Sequence, residues 1–119
     1  MPDYSLAGAH ADVVHALAII ESNESVSAIG DGGRAFGLLQ QHPSFFKEYY
    51  GRAVAFPQSV EHTWPEAQIV AAASFFEMNE QMGLDLIVQA YNLGVEAVRN
   101  GQRNPAYLSQ FKATLARLK

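Results

Sequence analysis

Apolar residues at Val13, Val14, Leu17 and Ile20 recur at helical spacing, so a helix with one buried face is expected from about residue 9 to 22. Glu21 comes four residues after Leu17 and seven after Val14, on that apolar side. The helical period is then lost. Gly30, Gly32, Gly33 and Gly37 crowd residues 23 to 40, and Ile29 and Phe36 flank the tip GDGGRA. This stretch reads as an irregular loop or a short hairpin, and it is the one place where β-structure is expected. Asp-Gly and Gly-Gly supply the positive φ that tight hairpin turns require. Pro43 can open a short helix in HPSFFKEYYG that stops before Gly51, and FPQSVEHTWP reads as loop. Pro65 begins PEAQIVAAASFFEMNEQMG, a helix expected to run to Gly83 with Ile69, Val70, Ala73, Phe76 and Met82 at core positions. DLIVQAYNLG closes at Gly94, and a short turn of helix through Val98 ends at Gly101. Asn104 and Pro105 then cap and open a last helix to about Leu118. The pattern predicts a mainly α (α+β) chain.

Length and composition narrow the class. The chain has 119 residues, of which 49% are hydrophobic and 17% charged; this suits one ordered domain over residues 1–119, with enough apolar surface for a core. No repeat, low-complexity segment or linker divides it. The net charge of -4 and the scattered eight Lys and Arg residues argue against binding nucleic acid through its phosphates, which needs clustered basic residues. There is no cysteine, hence no disulfide framework and no thiolate metal site. The N-terminus has an early acid and no basic region, unlike a secretory signal. The apolar run from Val13 to Ile20 is broken by His15 and falls short of the ~20 residues that span a bilayer, so no membrane insertion is expected.

Two carboxylates are candidates for chemistry. Glu21 lies on the apolar side of its helix, where desolvation would disfavour the carboxylate and keep an acid protonated near neutral pH; the plainer alternative is a helix-end residue leaning into water. Asp31 sits in a flexible-backbone loop, placed either to handle water as a second carboxylate or simply to form a turn. Glu24 competes for the second role, among polar neighbours that favour solvation. His10 and His15 are five apart, not the i, i+4 of a zinc helix, and His42 and His62 have no partner at ligand spacing, so no metal site is expected. GDGG lacks the Gly-Lys-Ser/Thr of a phosphate loop, and no G-x-S-x-G surrounds a serine. Trp64 and the pairs Phe45-Phe46, Tyr49-Tyr50 and Phe75-Phe76 read as core before they read as sugar-stacking platforms.

Taken together, IIES, GLLQ and AYNLG resemble the three motifs of the lysozyme-like soluble lytic transglycosylases and goose-type lysozymes. That pattern has Glu-Ser at a helix end, then Gly-Leu-Met-Gln, then Ala-Tyr-Asn-x-Gly in a later helix. Here the motifs fall in the same order at Glu21-Ser22, Gly37 to Gln40 and Ala90 to Gly94. GDGGRAFGLLQ is most similar to the goose-type version, though the loop between Glu21 and Asp31 is shorter and His42 stands where goose-type members carry an acid.

The resemblance implies a lysozyme-like fold, with helices around a substrate cleft and a small hairpin or irregular loop near residues 27–40. It implies a peptidoglycan glycosidase acting on the β-1,4 bond between N-acetylmuramic acid and N-acetylglucosamine, with Glu21 as general acid. Ser22 would support its helix end or contact the sugar, Gly37 and Leu38 would shape the cleft floor, and Gln40 would bind an N-acetyl or peptide-side group. Tyr91 would sit near the Glu21 carboxyl and Asn92 would orient substrate. Asp31 would position the attacking water, giving a muramidase; without that contact the product would be the 1,6-anhydro sugar of a lytic transglycosylase. His42 could also help hold water. No cofactor is implied. The implied partner is the peptidoglycan glycan strand, met by a monomer made in the cytoplasm and released by a pore, a virion or a secretion system. A non-catalytic sugar-binding or structural module on the same fold, or a chitinase-like glycosidase, are the competing readings.

Overall fold

The computed structural model describes residues 2–53 and 62–119. Six α-helices carry most of the described chain: α1 (Ala11–Ser22), α2 (Pro43–Ala53), α3 (Pro65–Met78), α4 (Leu84–Leu93), α5 (Val95–Arg99) and α6 (Pro105–Leu118). Among the described residues the only sheet is a hairpin, β1 (Ile29–Gly30) antiparallel to β2 (Ala35–Phe36), with Ile29 opposite Phe36 and Gly30 opposite Ala35. The mainly α architecture with one small hairpin is as expected from the pattern. The turn between the strands, Asp31–Gly33, puts Asp31, Gly32 and Gly33 at positive φ, the conformation that Asp and Gly accept at least cost.

α1 lies at the centre, packed against α3, α6 and a 3-10 segment, Tyr4–His10, that the sequence pattern did not announce. Val14, Ala16, Leu17 and Ala18 are buried on it, and the core continues through Leu38, Leu39, Ile69, Phe75, Phe76, Val88 and Phe111. The helix ends where Asn23 turns left-handed and its N–H, with that of Glu24, bonds back to the Ile19 and Ala18 carbonyls. Asn tolerates this conformation better than most residues. Glu21 is thereby carried in the final turn of a buried helix.

Several expected boundaries and burials differ. α2 does not stop before Gly51 but continues to Ala53. Phe45, Phe46, Tyr49 and Tyr50 pack it against α3, and such tertiary packing outweighs the ~1 kcal/mol that one helical glycine costs. The helix expected to reach Gly83 ends instead at Met78, followed by a 3-10 turn, Glu80–Met82. There the Asn79 side chain donates to the Phe75 carbonyl at 2.8 Å, competing with the helical ladder as short amide side chains do. Ile69 and Phe76 are buried as expected, whereas Val70, Ala73 and Met82 are only partly covered. Trp64 is not core: it stands at the N-terminal cap of α3, 57% exposed. The expected loop at residues 56–65 lies outside the described residues as far as residue 61.

The segment after β2 has little regular structure and is tied down by one side chain. Gln68 on α3, fully buried, accepts from the Leu39 N–H at 2.9 Å and donates to the Phe36 and His62 carbonyls at 2.8 and 2.6 Å. Gly37 lies against it at φ 79, and a Cβ there would stand 2.9 Å from the Gln68 amide nitrogen, so only glycine fits. Each unsatisfied buried group costs ~1–3 kcal/mol. Gln68→Ala is therefore expected to lower unfolding stability by at least about 2 kcal/mol, read from the urea midpoint; a change below about 0.5 kcal/mol would show these bonds to be dispensable.

Candidate functional site

The last turn of α1, the hairpin turn, the segment after β2 and α4 converge on one cleft of about 360 Å³ lined by Glu21, Asp31, Ala35, Gln40, His42, Tyr91 and Asn92. A second lobe of similar size shares Asp31, Gln40, His42, Tyr91 and Asn92 and extends to Ser44, Phe45 and Gly94. Six sequence candidates thus meet in one place: Glu21, Asp31, Gln40, His42, Tyr91 and Asn92. Ser22, Gly37 and Leu38 do not line it.

Glu21 is largely withdrawn from water. Burial raises its carboxyl above the usual glutamate value, while a hydrogen bond from the Tyr107 hydroxyl, at 2.5 Å to Oε2, pulls in the opposite direction by favouring the charged form. Burial is the larger effect. Tyr107 lies on α6, 86 positions from Glu21 in sequence, and no motif pointed to it. Its own hydroxyl is held far above the ordinary phenol value, first by burial and then by the neighbouring Glu21 charge, so it stays protonated and donates to Glu21. The sequence signal nearest to it is the helix cap. Asn104 accepts from the Tyr107 N–H at 3.2 Å, starting α6, and its side-chain amide donates to Asn92 Oδ1 at 2.8 Å. Its own N–H donates to the buried Gln89 at 2.8 Å. One capping residue therefore aligns both the tyrosine behind Glu21 and the asparagine at the cleft.

Tyr91 sits near Glu21, and its hydroxyl is raised well above the usual value by burial and then by the Glu21 charge. It donates to the Leu39 carbonyl at 2.8 Å and lies 3.3 Å from the Gln41 amide nitrogen. Gln41, almost wholly buried, also donates to the Gln68 carbonyl at 2.9 Å. Ser22 turns its hydroxyl to the Leu38 carbonyl at 2.6 Å and so joins the end of α1 to the same segment. The Leu38 side chain is fully in the core. Leu38 and Gly37 therefore set the path of the loop rather than the surface of the cleft floor. Gln40 reaches the cleft, but its amide nitrogen donates to the Ala28 and Gly37 carbonyls at 3.1 and 2.9 Å. Both its hydrogens are engaged, leaving the amide oxygen as its free group.

The other end of the cleft is wetter. Asp31 and His42, half exposed, meet with Nε2 2.9 Å from Oδ2, and Arg34 lies 3.5 Å from Oδ1. Glu24 is drawn away from the cleft, accepting from the Tyr4 hydroxyl at 2.7 Å and facing His15 Nε2 at 3.1 Å. It therefore drops out as the second carboxylate of this site. Among the described residues no group of three or more His, Asp or Glu side chains could hold a metal ion, and no helix is long and apolar enough to cross a membrane.

Glu21, its carboxyl raised by burial, and the half-exposed Asp31 thus share one cleft. Searches of curated proteins and of solved structures found no match. The model of the Transglycosylase SLT domain, however, matches residues 7–113, a span that contains every cleft residue and Tyr107. With its mainly helical architecture, small hairpin and buried helix-end glutamate, the chain belongs to the SLT transglycosylase family of the lysozyme-like superfamily.

Proposed function

We propose that the protein cleaves the β-1,4 bond between N-acetylmuramic acid and N-acetylglucosamine in peptidoglycan, with Glu21 as general acid. The family assignment carries the coarser statement, a peptidoglycan-cleaving activity of the lytic transglycosylase type. The observation that supports the finer one is Glu21 itself, a carboxyl raised by burial at the cleft wall. Glycoside cleavage needs an acid that is still protonated near neutral pH to protonate the leaving oxygen. As that proton leaves, the new carboxylate receives the Tyr107 hydrogen bond at 2.5 Å, a charge-assisted contact stronger than the one made to the neutral acid. Tyr107 thus favours the state that the acid reaches after giving up its proton. Asn92, its Oδ1 already occupied by Asn104, offers its amide hydrogens to substrate, and Gln40 offers its oxygen. The carbon left electron-poor at the muramic acid ring is then captured by water or by the sugar's own C6 hydroxyl.

Glu21→Gln tests the acid directly. Turbidity clearance of purified cell walls is expected to fall at least ~10²-fold, and activity unchanged from wild type would sink the reading. The same variant has a stability signature. Because the folded state raises the Glu21 carboxyl above its ordinary value, its contribution to stability is complete below that value and is lost as pH rises through the raised one. Glu21→Gln is therefore expected to melt higher than wild type at pH 7, with the difference vanishing in acid; equal melting temperatures at both pH values would refute the burial penalty.

Tyr107→Phe removes the donor and keeps the ring. The carboxylate loses its stabilising bond, so the alkaline limb of the pH–rate profile, set by loss of the Glu21 proton, is expected to move to higher pH. A limb that stays in place would show that Tyr107 does not act on the acid.

A further inference from the structure

Resting on the reading that Asn92 meets substrate, the structure assigns Asn104 as the positioning residue that makes the open half of the Asn92 amide a hydrogen-bond donor. The argument for it starts from a group whose role is fixed. The Tyr107 N–H at the start of α6 can only donate, and it meets the Asn104 side chain at 3.2 Å, so the atom it meets is Oδ1. The other half of the Asn104 amide is then its NH2 group. That Nδ2 lies 2.8 Å from the Asn92 side chain, where a donor needs an acceptor, so Asn92 turns Oδ1 towards it. What Asn92 keeps for a ligand is its own NH2 group. Asn92 is exposed and lines both lobes of the cleft. The cap of α6 thus sets the hydrogen-bonding sense of a cleft residue twelve positions earlier in the chain, and the group that Asn92 recognises is an acceptor, a carbonyl or hydroxyl oxygen of the glycan strand.

The main chain of Asn104 is held by a separate contact. Its N–H donates to Gln89 Oε1 at 2.8 Å, and Gln89, buried on α4, is itself oriented by donating to the Asp85 carbonyl at 3.0 Å. The Asn104 side chain can therefore be exchanged while its backbone stays against α4. Gln40 makes the contrast, because its NH2 group is engaged by the Ala28 and Gly37 carbonyls of its own loop. Asn92 takes its sense from another helix, and one substitution there inverts it. In Asn104→Asp one carboxylate oxygen keeps the cap and the other stands where Nδ2 had donated. Two oxygens would then face each other. A half-turn of the Asn92 amide removes the conflict by bringing its NH2 group to the carboxylate, in a charge-assisted hydrogen bond. The cleft is left with Oδ1, which repels the acceptor it formerly bound.

Wild type, Asn104→Asp, Asn104→Ser, Asn92→Ala, the double variant Asn92→Ala with Asn104→Asp, and Glu21→Gln would be compared in two ways. Side-chain amide NMR of the free proteins reads the Asn92 NH2 group; kcat and KM on soluble, uncross-linked glycan strands read its use. Asn, Asp and Ser are near-equal helix caps, so both Asn104 variants should melt close to wild type. In Asn104→Asp the Asn92 NH2 signals should move and exchange more slowly with solvent. kcat/KM should fall about tenfold, mainly through KM, as expected for one mispaired hydrogen bond. Asn104→Ser caps without reaching Asn92 and adds no charge, so it should lower kcat/KM by less. In the Asn92→Ala background Asn104→Asp should change nothing further, because the two residues act through one contact. Unaltered Asn92 NH2 signals in Asn104→Asp, or a loss of equal size in the Asn92→Ala background, would overturn the assignment. Failure of the underlying reading would look different: Glu21→Gln would continue to cleave, or Asn92→Ala would leave KM unchanged, while the Asn92 amide still reversed in Asn104→Asp.

Discussion

The buried amide of Gln68 is the contact on which the cleft depends. Residues 36–41 have almost no regular secondary structure, yet Leu38 and Leu39 are in the core and Gln40 and His42 line the cleft. A segment of that kind would leave backbone groups unpaired in a water-poor interior unless a side chain met them. Gln68 meets three of them with one amide, and its own carbonyl receives Gln41. In such surroundings a satisfied polar network is stiff, because every alternative arrangement strands a donor or an acceptor. Two other elements then register on the same segment: α1 through Ser22 on Leu38, and α4 through Tyr91 on Leu39.

That registration produces two unlike environments within a single cleft. At one wall Glu21 is desolvated in the last turn of α1, with phenol hydroxyls of α4 and α6 around it. At the other, Asp31 and His42 stand half in water on a turn and a helix start. The first favours a carboxyl that keeps its proton. The desolvation of the first wall follows from packing alone. It runs against stability at Glu21, where an ionisable group is held in a place that suits its neutral form, and the surrounding core of α1, α3 and α6 must offset the cost.

The chain's local chemistry was largely readable from its order of residues. Val14 and Leu17 put Glu21 on the buried side of a helix, and the Asp-Gly-Gly run called for a turn with positive φ. Asn104 and Pro105 marked the start of α6. These features depend on neighbours within a few positions, where backbone preference and periodicity dominate. Helix ends were less legible. Gly51 should have stopped α2, but aromatic packing against α3 carried the helix past it. Asn79 ended α3 early through a side-chain bond that composition does not reveal. Trp64 read as core by size and proved exposed, since burial depends on what lies opposite.

By itself, then, the sequence put Glu21 on the apolar side of its helix, marked where the hairpin would turn and carried the three motifs that resemble the family. Tertiary structure alone decided the rest: that Tyr107 would meet Glu21 across the length of the chain, that Gln40 would spend its amide hydrogens on its own loop, and that His42 would lean on Asp31. Local pattern reports the free energy of a segment and its nearest residues. A contact between α1 and α6, or between a turn and the start of α2, exists only after the core has packed and brought their ends together.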